Sequence, residues 1–171
     1  IPKVAGFCAL VRLIAVVFPP DMVLGQAFRS PLLLAISAAA ITLGNLSGLW
    51  QERMKRLMAY SGIAQVGYFL MGVALATQFS LEASLLHLSA YVISELGIFA
   101  VIVLVSLWMD SDQISDYNGL YAEAPLLAVV LLGCLLSLLG VPGTAGFIGK
   151  FMLISAALRE GVVWLAVVAG L

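Results

Sequence analysis

The sequence predicts an all-α, polytopic transmembrane helix bundle with one discontinuous helix, and three observations carry that expectation. Hydrophobic residues make up 63% of the 171 residues and charged residues only 10%, against about 25% charged in a soluble domain. Mean hydropathy is +1.15. Apolar runs of bilayer-spanning length alternate with short polar or proline-marked breaks. A hydrocarbon core takes about 20 apolar residues in a helix, because lipid offers a bare backbone no hydrogen bonds.

The spans follow in order. Residues 1–18 form an apolar run that holds Lys3 and Arg12 and ends at Pro19-Pro20-Asp21. It opens on Ile1-Pro2-Lys3 without a methionine, and the chain closes inside another apolar run. The expectation is therefore a fragment cut at both ends, forming a single membrane domain over residues 1–171. Arg29-Ser30-Pro31 introduces the span 31–50; spans 55–77 and 81–109 follow. An acidic stretch from Asp110 to Asp116 leads to 125–158, and 162–171 is again partial. Segment 125–158 is too long for one straight crossing at about 1.5 Å per residue. Its interruption falls at residues 140–143, with Gly140, Pro142 and Gly143, and Gly146 just beyond.

Several function classes drop out. The stretch Gly140-Val-Pro-Gly-Thr-Ala-Gly-Phe-Ile-Gly-Lys-Phe151 has the look of a phosphate-binding loop. That motif requires Gly, four intervening residues, Gly-Lys and then a hydroxyl. Thr144 and Phe151 occupy those positions, so the phosphate reading fails. A net charge of −1 argues against nucleic acid as a partner. Cys8 and Cys134 lie in apolar runs without metal-ligand or CxxC spacing and read as small core residues. No signal peptide is visible.

Charges at membrane depth are the informative residues. Irregular backbone there is tolerated only inside protein or beside a wet cavity, and broken helices mark ion paths in many transporters. Lys150 lies about two turns past the break, where an ammonium costs about 2.5–3.5 kcal/mol and calls for a polar partner. The alternative is a lysine snorkelling from an ordinary kinked helix. Lys3 near the first run's start is a weaker signal. Glu95 is the middle residue of 81–109, and His87 and Tyr91 precede it at intervals of four, with Ser84 and Ser94 on the same side. Steps of four rotate only about 40°, so these groups form one polar stripe. Carboxyl, phenol and imidazole suit proton relay, since histidine titrates near neutrality and burial penalises any charged form. Tyr91 and the serines also suit helix-packing contacts. Arg53, Lys55 and Arg56 place their loop on the cytoplasmic face by the positive-inside rule, with loop 110–123 beside it and Arg29 and Arg159 opposite.

Two longer motifs carry a family resemblance. They are Gly44-Asn-Leu-Ser-Gly-Leu-Trp-Gln51 followed by Met54-Lys-Arg-Leu-Met-Ala-Tyr-Ser-Gly-Ile-Ala-Gln-Val-Gly-Tyr68, and Leu136-Ser-Leu-Leu-Gly-Val-Pro-Gly-Thr-Ala-Gly-Phe-Ile-Gly-Lys-Phe151. Together they resemble the antiporter-like membrane subunits of NADH–quinone oxidoreductase (respiratory complex I), nearest the subunit N branch, chain 2 in mitochondria. The resemblance covers essentially the whole chain, as roughly helices 8 to 13 of a 14-helix fold.

The resemblance implies a non-redox subunit of a proton-pumping translocase. Lys150 matches the family's lysine in the second broken helix, and Lys3 resembles the lysine of the helix after the first one. Glu95 stands where sister subunits often have lysine, and His87 and Tyr91 stand where some have histidine. Gln65 occupies a position that is histidine in many relatives. The implied cofactors, NADH, FMN, iron–sulfur clusters and quinone, belong to partner subunits, with none in this chain. The implied partners are the other membrane subunits, the lipid bilayer and protons, with no nucleic acid and no metal. The implied location is an energy-transducing membrane, the bacterial inner membrane. The alternative readings are an Mrp-type cation/proton antiporter subunit, which shares the same fold and motifs, a subunit of a membrane-bound hydrogenase, and a purely structural membrane scaffold.

Overall fold

A computed structural model describes residues 5, 6, 9, 12, 23–109 and 111–170. Lys3, and with it most of the run 1–18, lies outside the described residues. The described chain is helical, with no β-pairing beyond one isolated bridge between Arg53 and Gln113. Helix α1 spans Val23–Leu49, α2 Met54–Leu75 and α3 Gln78–Met109. A 3-10 turn at Ile114–Tyr117 and a short α4 at Leu120–Glu123 lead to α5 at Pro125–Leu139. Helices α6, Ala145–Arg159, and α7, Val163–Gly170, follow. The expected start of the second span at Pro31 lies inside α1, which begins at Val23. Proline there removes one helical donor, a loss that membrane helices tolerate where neighbours satisfy the freed carbonyl.

Stretches Pro31–Leu49, Met54–Leu75 and Gln78–Met109 are each long and apolar enough to cross a bilayer. Lipid tails are as apolar as leucine, so helices in a membrane associate through close packing and polar contacts rather than hydrophobic burial. Small residues accordingly bring α2 against both neighbours. A Cβ on Gly67 would strike Ile41 and the Ser37 carbonyl of α1, and one on Gly72 would strike Ser84 and Ser80 of α3. Hydroxyls fix the same contacts. Ser37 Oγ donates to the Gly67 carbonyl at 2.7 Å, and Ser80 Oγ to the Gly72 carbonyl at 2.8 Å.

Polar groups are accordingly inside and oil outside. Ser37, Gln65, Ser80, Ser84, His87 and Ser94 are buried, whereas Leu85, Ile93, Leu96, Val103 and Leu107 of α3 are exposed. The two ends of the bundle are also distinct. Met54 N–H donates to the Asp112 carbonyl at 2.9 Å, and Ile114 N–H to the Glu52 carbonyl at 2.9 Å. The basic turn 53–56 therefore shares one end with the acidic loop, together with exposed Trp50, Trp108 and Tyr121. At the other end Arg159 lies over the Phe79 ring, 4.6 Å from its centroid.

Candidate functional site

The site begins with the way α5 stops. Gly140 takes a left-handed φ of 86°, and its N–H is shared between the Leu136 and Ser137 carbonyls at 3.0 and 3.2 Å. Val141 N–H returns to the Leu136 carbonyl at 3.1 Å, closing a Schellman-type end. Pro142 cannot continue a helix, and Gly143 is again left-handed at φ 97°. Thr144 then caps α6, its Oγ1 accepting from Phe147 N–H at 3.4 Å. Gly146 lets α6 fold back against α5, since any Cβ there would collide with the Ser137 carbonyl.

Helix ends leave carbonyls without intrahelical partners, and the negative end of the helix dipole gathers there. Lys150 exploits both. Its Nζ donates to the Leu138 carbonyl at 2.8 Å and to the Leu139 carbonyl at 3.3 Å. The same ammonium lies 4.9 Å from the centroid of the Tyr68 ring, a cation–π contact. Lys150 is thus turned inward and partnered, which the snorkelling alternative does not describe. Tyr68 is fixed in turn by donating from its hydroxyl to the Ala169 carbonyl at 2.8 Å.

Gly149 seats α6 directly on the backbone of His87 in α3. The His87 ring meets Tyr68 edge-on at 5.6 Å and Phe69 at 5.3 Å between centroids. Its Nε2 lies 2.8 Å from Gln65 Oε1. Lys150 and His87 therefore meet the same tyrosine. One turn along α3, Tyr91 hydrogen-bonds the half-buried Glu95 through their side chains. Phe69 packs on the rings of both His87 and Tyr91, at 5.3 and 5.8 Å between centroids.

The stripe of α3 is only partly one network. Ser94 Oγ donates across to Ser137 Oγ of α5 at 3.0 Å, linking the helix of Glu95 to the broken segment. Ser84 Oγ instead returns to its own helix at the Ser80 carbonyl, 2.9 Å away, and acts as a packing contact. A cleft of about 820 Å³ extends from Gly48 and Gln51 past Ser61 and Gln65 to Tyr68 and Lys150.

Gln65 and Tyr68 are the site residues that the spacing argument passed over. Both sit in α2, whose apolar and polar residues show no single stripe because it packs on neighbours all round. A buried amide within a membrane helix was the available signal for Gln65, since such groups are costly unless partnered.

A helical bundle whose backbone opens beside a partnered lysine, within packed spans, has the architecture of a membrane transporter. The chain belongs to the NADH:quinone oxidoreductase/Mrp antiporter transmembrane family, whose model matches residues 1–171. It is 44% identical over 174 aligned residues to NADH-quinone oxidoreductase subunit N 2 of Chloroherpeton thalassium, covering 97% of this chain and 33% of that protein. Among solved structures it resembles the Mrp complex from Dietzia sp. DQ12-45-1b, with TM-score 0.87, 28% identity and coverage of 98% and 30%. It also resembles a chain of respiratory complex I from Thermus thermophilus, with TM-score 0.71, 32% identity and coverage of 96% and 34%. The chain thus spans about a third of the length of these relatives.

Proposed function

We propose that this chain is the part of an antiporter-like subunit of NADH–quinone oxidoreductase that carries protons through its second half. Lys150, His87, Tyr91 and Glu95 hold and exchange the protons, with Lys3 as a further member. Gly140, Pro142, Gly143 and Gly146 open the helix that frames Lys150. Electron transfer from NADH through FMN and iron–sulfur clusters to quinone takes place in partner subunits, and the field it generates drives the protons. The natural setting is an energy-transducing bacterial inner membrane, with the loop of Arg53, Lys55 and Arg56 facing the cytoplasm.

The observation that carries this reading is the environment of Lys150. Among the described residues its acceptors are two backbone carbonyls and a ring face, all neutral. Neutral partners tolerate either protonation state, whereas a carboxylate partner would hold the charge in place. The side chain can therefore give up a proton without leaving a buried anion behind.

The test uses inverted membrane vesicles with the full-length subunit in its complex. NADH oxidation should acidify the lumen, and Lys150→Ala should abolish most of that signal while NADH dehydrogenation by the peripheral subunits persists. Unchanged acidification per NADH oxidised would defeat the reading. The second reading, an Mrp-type cation/proton antiporter, is favoured by the higher TM-score of the Mrp chain. It predicts proton movement driven by an imposed sodium gradient without NADH.

A further inference from the structure

His87 is the only histidine in the sequence and is 2% exposed. Its Nε2 meets Gln65 Oε1 at 2.8 Å. An amide oxygen only accepts, so this contact keeps the ring hydrogen on Nε2 and leaves the lone pair on Nδ1. Nδ1 is equally buried and has no hydrogen-bonding partner among the described residues. The ring also has little room to exchange its two nitrogens. Tyr68 and Phe69 bracket it. Gly149 approaches so closely that an added Cβ would come within 2.7 Å of His87 Cα.

We propose that Gln65 is a positioning residue that holds His87 in the Nε2–H tautomer, making Nδ1 the one atom at which His87 takes up and returns a proton. This rests on the proton-transfer reading above. In the uptake step a hydronium ion of the proton path gives its proton to the Nδ1 lone pair and leaves as water, giving an imidazolium that still donates from Nε2 to Gln65. On return, water takes that proton back from Nδ1. Release from the Nε2 side would require Gln65 to accept the proton, and an amide oxygen is far too weak a base. The proton that entered at Nδ1 therefore leaves from Nδ1. His87 then serves as a reversible charge store, not as a wire running through both ring nitrogens. When it is charged, two cations share the Tyr68 ring, so its state is felt at Lys150 by direct repulsion.

The experiment labels histidine with nitrogen-15 in the full-length subunit, assembled in its complex in lipid. Solid-state NMR then separates protonated from bare ring nitrogens, and His87→Gln identifies the His87 signals by difference. Wild type should show a protonated Nε2 and a bare Nδ1. Gln65→Met keeps the length of the side chain and removes the acceptor. It should mix the tautomers and reduce NADH-driven proton uptake several-fold, with normal subunit content. Gln65→Glu keeps an acceptor oxygen and should restore the Nε2–H signal, which covers the case of a Met variant that fails to assemble. A wild-type Nδ1–H signal overturns the proposal, as does a Gln65→Met complex with unchanged tautomer or unchanged proton uptake. Failure of the underlying reading is separately visible, because normal pumping by Lys150→Ala defeats proton transfer here whatever tautomer His87 shows.

Discussion

Helix α3 and the α5–α6 pair solve the same problem in opposite ways. Both carry polar groups within strongly apolar helices. Helix α3 runs unbroken over Gln78–Met109 and partners its groups through side chains: His87 with Gln65, Tyr91 with Glu95, and Ser94 with Ser137. The α5–α6 segment opens its backbone instead and offers the Leu138 and Leu139 carbonyls to Lys150. The difference follows from what each group needs. An acid or an imidazole finds donors and acceptors among ordinary side chains, so its helix stays intact. An ammonium needs acceptors on several sides, and a continuous helix has already used its carbonyls.

The contrast breaks most readily at Lys150. Lys150→Ala should lower NADH-driven proton transfer by about tenfold or more, the scale of losing a positioned proton-transfer group. Arginine keeps the positive charge but does not deprotonate in proteins, so Lys150→Arg should recover little. The measurement is the initial rate of proton uptake in vesicles, normalised to assembled complex. Normal pumping by the arginine variant would make Lys150 a fixed charge that merely seals the end of α5.

A smaller effect is expected on the continuous helix. Glu95→Gln keeps the shape of the side chain and an acceptor for Tyr91 while replacing the carboxyl group by an amide. Pumping and its coupled electron transfer should slow a few-fold with assembly intact. If protons per NADH and turnover both match wild type, Glu95 and Tyr91 are helix-packing contacts, and the proton path does not use that part of α3.

Much of this was legible in the sequence. The apolar runs 55–77 and 81–109 lie within a few residues of α2 and α3, because a bilayer demands long apolar runs whatever their packing. The break was legible too, because Gly140, Pro142 and Gly143 each restrict or free the backbone in a known way. Lys150 and the Glu95 stripe stood out as charges in oil. The partners did not. No pattern along the chain says that Lys150 reaches back to Leu138, or that Gln65 meets His87, since both depend on helix contacts between residues 12 and 22 positions apart. The apolar stretch suited to crossing a bilayer starts at Pro31, as the sequence suggests, while the helix that carries it begins earlier, at Val23, because a proline early in a membrane helix need not end it. Lys3 lies outside the described residues, so its relation to Lys150 rests on the family resemblance alone.

The smallest expected effects separate packing from chemistry within the same two regions. Gly149 joins α6 to α3, and an added Cβ would come within 2.7 Å of His87 Cα and 2.8 Å of its Cβ. Backbone cannot step aside as a side-chain tip can, so the helices themselves must part. Gly149→Ala should cost about 1–3 kcal/mol, the range for overpacking a close contact, and should lower the yield of assembled complex. Gly97 joins α3 to α5, where the added Cβ would crowd Cys134 Sγ at 2.6 Å and meet Cys134 Cβ and Val130 Cγ1 at ordinary contact distances of 3.8 and 3.9 Å. A thiol can rotate to another rotamer, at a cost of about 0.5–1.5 kcal/mol if it ends off-rotamer, and alanine returns part of this by favouring helix over glycine. Gly97→Ala should therefore be close to neutral. Thermal unfolding of the two variants in detergent, read side by side, checks the order. Equal destabilisation would mean that α5 is held against α3 as rigidly as α6 is, and that the broken segment moves as one body.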